Sequence, residues 1–266
     1  MSKIKFCTFY SGSSANSAYI EINGRAILVD AGASMKRTGT ALSYMGKTFS
    51  DIDAVFVTHE HSDHIAGLPM ITKHHKIPII ANTRTLHKIY DMYYNMDSSL
   101  KREMPTGATA VRGDFCVKSF ASSHDGVEPV GYVVTCGNIK IGILTDTGEI
   151  SLGMRDALSG CRAVLIESNH DEFMLRTGPY PYPLQQRILS KTGHLSNLQC
   201  AEFAKELIMS GTERVFLGHL SAENNTPAKA METVCDYLEK NGIINGRDVI
   251  IEVSPRFDVS GVFEID

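Results

Sequence analysis

The chain has 266 residues, with 43% hydrophobic and 21% charged residues, an ordinary globular composition with length enough for a sizeable core. Its formal net charge of −4 excludes a protein that coats nucleic acid by bulk electrostatics, but not an enzyme whose bound cations supply positive charge locally. The cysteines are scattered without a C-x-x-C pair, and neither an apolar leader nor a run of about 18 apolar residues occurs, so a cytoplasmic protein with reduced thiols and no membrane span is expected.

Residues 4–9 read as an opening strand that enters a loop of small residues, Ser11 to Ser17. Strands over 18–22 and 25–29 flank Asn23-Gly24, a strong hairpin signal, and the second ends at Asp30-Ala31-Gly32. A helix over 35–45 leads to the apolar run 54–57, a short buried strand. Further along, helices are expected over 64–75 and 83–96, with a short strand over 78–80 between them. Strands over 115–120, 130–136 and 139–144 follow, the last two joined at Gly137-Asn138. The remainder alternates: helix 151–159, strand 163–166, a Pro/Tyr loop over 177–183, and helix 196–210 with Ser196 as N-cap. Then come strand 214–217, a helix opened by Thr226-Pro227 and running to Lys240, and strands 249–253 and 259–265. Without linker, repeat or charge block, residues 1–266 read as one α/β domain, sheets inside and helices outside.

The stretch on which the rest depends is Thr58-His59-Glu60-His61-Ser62-Asp63-His64, directly off the buried strand. Alternate residues of an extended segment face one side, so His59 and His61 can share an ion, while Asp63 and His64 lie beyond the bend and face a neighbouring position. At this chain's His and Asp frequencies the pattern arises by chance in about one chain in a thousand. Three more candidates stand where strands run out: His124, Asp146 and His219. A lone histidine at such a place is usually structural, but a site holding only His59 and His61 would be under-coordinated, and the recurrence strengthens the joint reading. His74, His75 and His87 fall in helical pattern and read as surface residues.

The order Asp30, H-x-H-x-D-H, His124, Asp146, His219 resembles the five-motif signature of the metallo-β-lactamase superfamily over nearly the whole chain. The resemblance implies a four-layer αβ/βα sandwich with two metal ions, Zn²⁺ or Mn²⁺. It implies His59, His61 and His124 on one ion, Asp63, His64 and His219 on the other, Asp146 bridging, and Asp30 as the outer carboxylate that fixes the ligand loop. Within the superfamily, D-H-I-A-G-L-P at Asp63 to Pro69 is similar to the D-H-x-x-G-L-P of RNase Z-type endonucleases. Glu167-Ser168-Asn169-His170-Asp171, Gly178 to Pro181, Gly193-His194-Leu195-Ser196-Asn197 and the string from His219 to Asn225 resemble the YycJ (WalJ) group. That group is described as 5′-to-3′ DNA exonucleases. The chain departs from RNase Z in lacking a long Gly-rich tRNA-gripping arm, and from the RNase J type in lacking an extra domain.

The reaction implied is phosphodiester hydrolysis by a hydroxide between two cations, with Asp63 orienting the nucleophile and Glu167 and His194, outside the ligand set, protonating the leaving oxygen. The Pro/Tyr loop with Arg176, Arg187 and Lys191 is a candidate surface for stacking and steering a single strand. The alternative is a small-molecule hydrolase, a cyclic phosphodiesterase or a thioester or lactone hydrolase; Ala66-Gly67 departs from the Gly-Gly usual after D-H-x in the thioesterase branch. A non-enzymatic metal-stabilised module is disfavoured by the complete ligand set.

Overall fold

The structure, a computed structural model, describes residues 4–265. The described residues divide into two compact units: residues 4–119, 126–130 and 255–265, and residues 120–125 and 131–254.

In the first unit, β1 (Ile4–Gly12), β2 (Ala15–Ile22) and β3 (Arg25–Val29) form an antiparallel meander. The Asn23-Gly24 turn has φ of 51° and 84°, the double positive φ of a two-residue hairpin matched to strand twist. β4 (Ile52–Phe56), β5 (Ile79–Ala81) and β6 (Lys101–Glu103) continue the sheet in parallel. Helices α1 (Met35–Tyr44), α2 (Ser62–Ile65), α3 (Leu68–His75) and α4 (Thr83–Met92) make the parallel crossovers. Leu42, Ile65, Leu68, Ile71, Leu86 and Ile89 from these helices share one core with Phe9, Tyr19, Leu28 and Val55 of the sheet. β7 (Thr109–Arg112) and β8 (Phe115–Ala121) follow as an antiparallel ribbon.

The second unit carries β9 (Val130–Cys136), β10 (Ile139–Leu144), α5 (Leu152–Leu158), β11 (Ala163–Glu167), α6 (Glu172–Thr177) and α7 (Tyr182–Ile188). After these come α8 (Asn197–Met209), β12 (Arg214–Gly218), α9 (Pro227–Lys240) and β13 (Ile250–Val253). β10 to β13 are mutually parallel, and β9 and β10 form the hairpin expected at Gly137-Asn138. Val164, Ile166, Val215 and Leu217 meet Leu158, Phe203, Leu207, Val234 and Leu238 from α5, α8 and α9 in one core. Gly142 permits the close approach of α5 to β10, since a Cβ there would stand 2.3 Å from the Leu158 side chain. The expected caps are present: Ser196 accepts from Gln199 N–H, and Thr226 from Lys229 N–H.

Four expectations need correction. The helix expected over 64–75 is two helices, because Gly67 donates its N–H to Ala31 O instead of to the carbonyl four residues back. The helix expected over 83–96 stops at Met92, where the weak formers Tyr93, Tyr94 and Asn95 begin. The strand expected over 259–265 narrows to β14 (Phe263–Ile265); upstream, the Ser260 hydroxyl and N–H bond Thr8 in place of a ladder. The Pro/Tyr stretch is not one loop, since Tyr182 opens α7.

Candidate metal centre and active site

In the first unit the site grows from the ends of β3 and β4. Asp30, immediately after β3 and buried, donates its N–H to Phe56 O and turns its carboxylate onto the next loop. It accepts from Thr58 N at 2.8 Å and Thr58 Oγ1 at 2.8 Å, and faces His64 Nδ1 at 2.7 Å. A carboxylate accepts only, so His64 carries its hydrogen on Nδ1 and keeps the Nε2 lone pair for a ligand. His64 Nε2 lies 3.4 Å from Asp63 Oδ2. The His59 ring stands 4.6 Å from that of His61 and 4.2 Å from that of His64, centroid to centroid. Glu60, inside the motif, turns elsewhere, and its Oε1 accepts the Val127 N–H.

Asn16 joins this cluster although no motif marks it. Its Nδ2 donates to Asp63 Oδ2 at 3.0 Å and lies 3.1 Å from His64 Nε2, while the Asn16 side chain also ties to Gly12. The small-residue run 11–17 is its one trace in the sequence.

In the second unit Asp146, Glu167 and His219 stand at the ends of parallel strands. His124, after β8, points Nδ1 at Gly193 O (3.1 Å), which fixes the hydrogen there, and its Nε2 lies 3.7 Å from Asp146 Oδ1. Asp146 follows β10, Glu167 ends β11, and His219 follows β12. Ligand atoms of Asp146, Glu167, His194 and His219 lie within 4.8 Å of one another. Glu167 is fully buried and organises the group. Its Oε1 accepts from His194 Nδ1 at 2.7 Å and His219 Nδ1 at 2.8 Å, and its Oε2 from Thr147 N at 2.9 Å and Leu195 N at 3.3 Å. Burial pushes the Glu167 carboxyl up, but the charge and hydrogen bond of His194, with His219 behind them, outweigh it and hold the group ionised. Burial pulls His194 down, and the Glu167 charge and hydrogen bond more than reverse it, so the imidazole is raised. His124 goes the other way, because burial outweighs the pull of Asp146 and keeps the ring neutral. Neighbouring imidazoles are thus driven apart in protonation, the mark of divided labour.

Asp30, Asp146 and His219 share a further trait, a left-handed backbone with φ of 63°, 57° and 53°. Such a conformation costs about 1–2 kcal/mol for a side-chain-bearing residue. All three occur just beyond strand ends, where strain at a working site concentrates.

The donor chemistry of both clusters, histidines with a fixed Nδ1–H beside carboxylates, fits divalent first-row ions. The β-lactamase superfamily domain matches residues 25–220. The chain belongs to the metallo-β-lactamase superfamily. Within the superfamily it is 36% identical to exodeoxyribonuclease YycJ of Bacillus anthracis over 90% of both chains. It is 38% identical to exodeoxyribonuclease WalJ of Streptococcus pneumoniae over 94% of both. It superposes on the metallo-β-lactamase fold protein YhfI of Bacillus subtilis with a TM-score of 0.72 at 15% identity, covering 99% of this chain and 100% of that one. The αβ/βα sandwich class read from the sequence is therefore the fold, and the chain is a hydrolase of this family.

His74, His75 and His87 are exposed, as expected, and His75 stacks on Phe49 at 4.2 Å. Arg176, Arg187 and Lys191 are exposed and engaged with Glu172, Asp125 and Glu149. Tyr182 is 71% exposed at the start of α7. Among the described residues no helix is long and apolar enough to cross a membrane.

Proposed function

We propose that the two clusters act together as a two-ion phosphodiesterase centre that degrades DNA from one end, in the 5′-to-3′ direction. Family membership and the donor chemistry of each cluster support the ligand set: His59, His61 and His124 for one ion, Asp63, His64 and His219 for the other, Asp146 between them. Zinc suits the histidines and manganese suits phosphodiester work. When bound, such ions supply Lewis acidity toward a phosphate and a water. The relatives named exodeoxyribonuclease support DNA as the polymer.

The observation that carries this reading is the Glu167–His194 contact of 2.7 Å, with Asp146 Oδ1 3.9 Å from the same ring nitrogen. Glu167 holds the His194 hydrogen at Nδ1 and favours the cation, so Nε2 also carries a proton it can give away. The His194 side chain keeps 15% of its exposure, against 3% for Asp146 and none for Glu167, so it is the reachable member of the group. A nucleotide alkoxide is a poor leaving group and needs that proton, whereas a lactone or thioester opens without it. Asp63, tied by Asn16 through one carboxylate oxygen, orients the attacking water with the other.

The test is His194→Ala on end-labelled DNA and on bis-p-nitrophenyl phosphate, whose leaving group needs no acid. DNA cleavage is expected to slow by roughly 10²–10⁴-fold, the aryl ester to be largely spared, and metal content to stay unchanged. Equal losses on both substrates, or loss of metal, would make His194 structural or a ligand. Efficient lactone or thioester opening with untouched DNA would make the branch assignment wrong.

A further inference from the structure

One compact turn at the end of α7 ties Arg187 to two histidines of the second unit. Ile188 O accepts the His194 N–H at 2.9 Å, and Gly193 O faces His124 Nδ1 at 3.1 Å. A Cβ on Gly193 would stand 2.3 Å from Arg187 O and 2.2 Å from Ile188 O, so only glycine lets the turn close this tightly. The Arg187 side chain is linked to His124 a second time, through Asp125. Its Nε donates to Asp125 Oδ2 at 2.6 Å, and Asp125 Oδ1 lies 3.3 Å from His124 Nε2. That ring nitrogen is the one left for a ligand once Nδ1 is engaged by Gly193 O, and it stands 3.7 Å from Asp146 Oδ1. Asp125 therefore lies on the ligand side of His124, with Arg187 one carboxylate further out.

We propose that Arg187 holds the phosphate of a nucleic-acid strand next to the one being cleaved. The inference rests on the nucleic-acid reading above and adds a binding contact to it. A guanidinium carries five N–H donors in a rigid fork that matches phosphate oxygens, and the Asp125 contact uses only the one on Nε. Among the described residues its terminal nitrogens make no hydrogen bond, and 52% of the side chain is exposed. Asp125 thus fixes the direction of the fork and leaves its outer donors to a ligand. Phosphates of a strand recur about every 3.4 Å of helix axis, so the neighbour of a phosphate beside His124 falls within reach of this fork. The net charge of −4 gives the chain no general attraction for a strand, so individually placed cations must supply it. Arg176 and Lys191 pair with Glu172 and Glu149, and neither pair includes a site residue.

The test measures binding of a fluorescein-labelled phosphorothioate oligothymidylate, which keeps its charges and resists cleavage, to the metal-loaded protein by anisotropy at several salt concentrations. Arg187→Gln should weaken binding about tenfold at low salt, the scale of one charge-assisted contact. It should also flatten the slope of log Kd against log salt by about 0.7, the loss of one phosphate contact on a single strand. Asp125→Asn combined with Arg187→Gln separates a direct contact from mere shielding of the carboxylate, and the double variant should bind as weakly as Arg187→Gln. One uncharged methylphosphonate at the linkage next to the terminal one should weaken the wild type and leave Arg187→Gln unaffected. An unchanged slope in Arg187→Gln, wild-type affinity in the double variant, or equal methylphosphonate losses in both proteins would each overturn the proposal. Arg187-dependent binding by a protein that leaves DNA intact would refute the cleavage reading and keep the phosphate contact; DNA cleavage with a slope independent of Arg187 would do the reverse.

Discussion

Glu167→Gln tests how the second cluster is held together. The substitution keeps shape and removes charge. In the wild type every partner of the carboxylate is a donor: two imidazole Nδ1–H groups on Oε1 and the Thr147 and Leu195 N–H groups on Oε2. A glutamine brings an NH₂ that faces donors whichever way it turns. Turned toward the backbone, it leaves Thr147 and Leu195 N–H unsatisfied in a fully buried place, at about 1–3 kcal/mol each. Turned toward the rings, it forces His219 to accept at Nδ1, which moves the hydrogen to Nε2 and removes the lone pair a metal would use. The cheaper outcome still costs the metal-free protein about 3 kcal/mol or the holoenzyme about 10–100-fold in metal affinity. Urea unfolding in chelator and a competitive metal titration read the two arms separately. A variant with wild-type unfolding midpoint and wild-type metal affinity would refute the account of Glu167 as the organiser.

Asp146→Ala should reduce metal content from near two ions per chain and abolish turnover, because the proposed bridge is lost; full activity after chelation and reloading would sink the two-ion reading. Gly67→Ala places a Cβ 2.1 Å from Ala33 O and 2.8 Å from Ala31 O, both backbone, and should lower stability by about 1–3 kcal/mol in urea. An unshifted midpoint there would mean that the Asp30 loop yields freely. His170 adds a pH dependence: unfolded, its imidazole takes up a proton below about 6.5, folded only below about 4. The unfolded state therefore binds more protons between those values, and up to about 3 kcal/mol present at neutral pH is lost as pH falls through that window. Metal-free His170→Leu should show a shallower decline in the same window, and an unchanged slope would place the effect elsewhere.

What could be read in the sequence was local chemistry. Asn23-Gly24 set a hairpin, Pro227 after Thr226 opened α9, and Ser196 with Gln199 capped α8, each through contacts within a few residues. The candidate ligands were legible because they share one placement, beyond the ends of strands whose apolar runs are plain. Asn16 was hidden because its partner Asp63 is 47 residues away, and no spacing records such a bond. Thr147 and Leu195 contribute through their backbones, which leave no residue-type signature. α6 and α7, with six and seven residues, are too short for a helical period to declare itself. His170 looked like one more polar residue in the string after Glu167, and only its burial distinguishes it.

The partner of β1 across its outer edge is β14, with Ile4 opposite Ile265. During synthesis at about 5–20 residues per second, β1 therefore waits tens of seconds for the strand that closes it. Throughout that interval an apolar strand edge is open to pairing with another chain. Release from the ribosome or cleavage ahead of Phe263 exposes the same edge. Such fragments should keep both candidate clusters of site residues and yet be lost to aggregation.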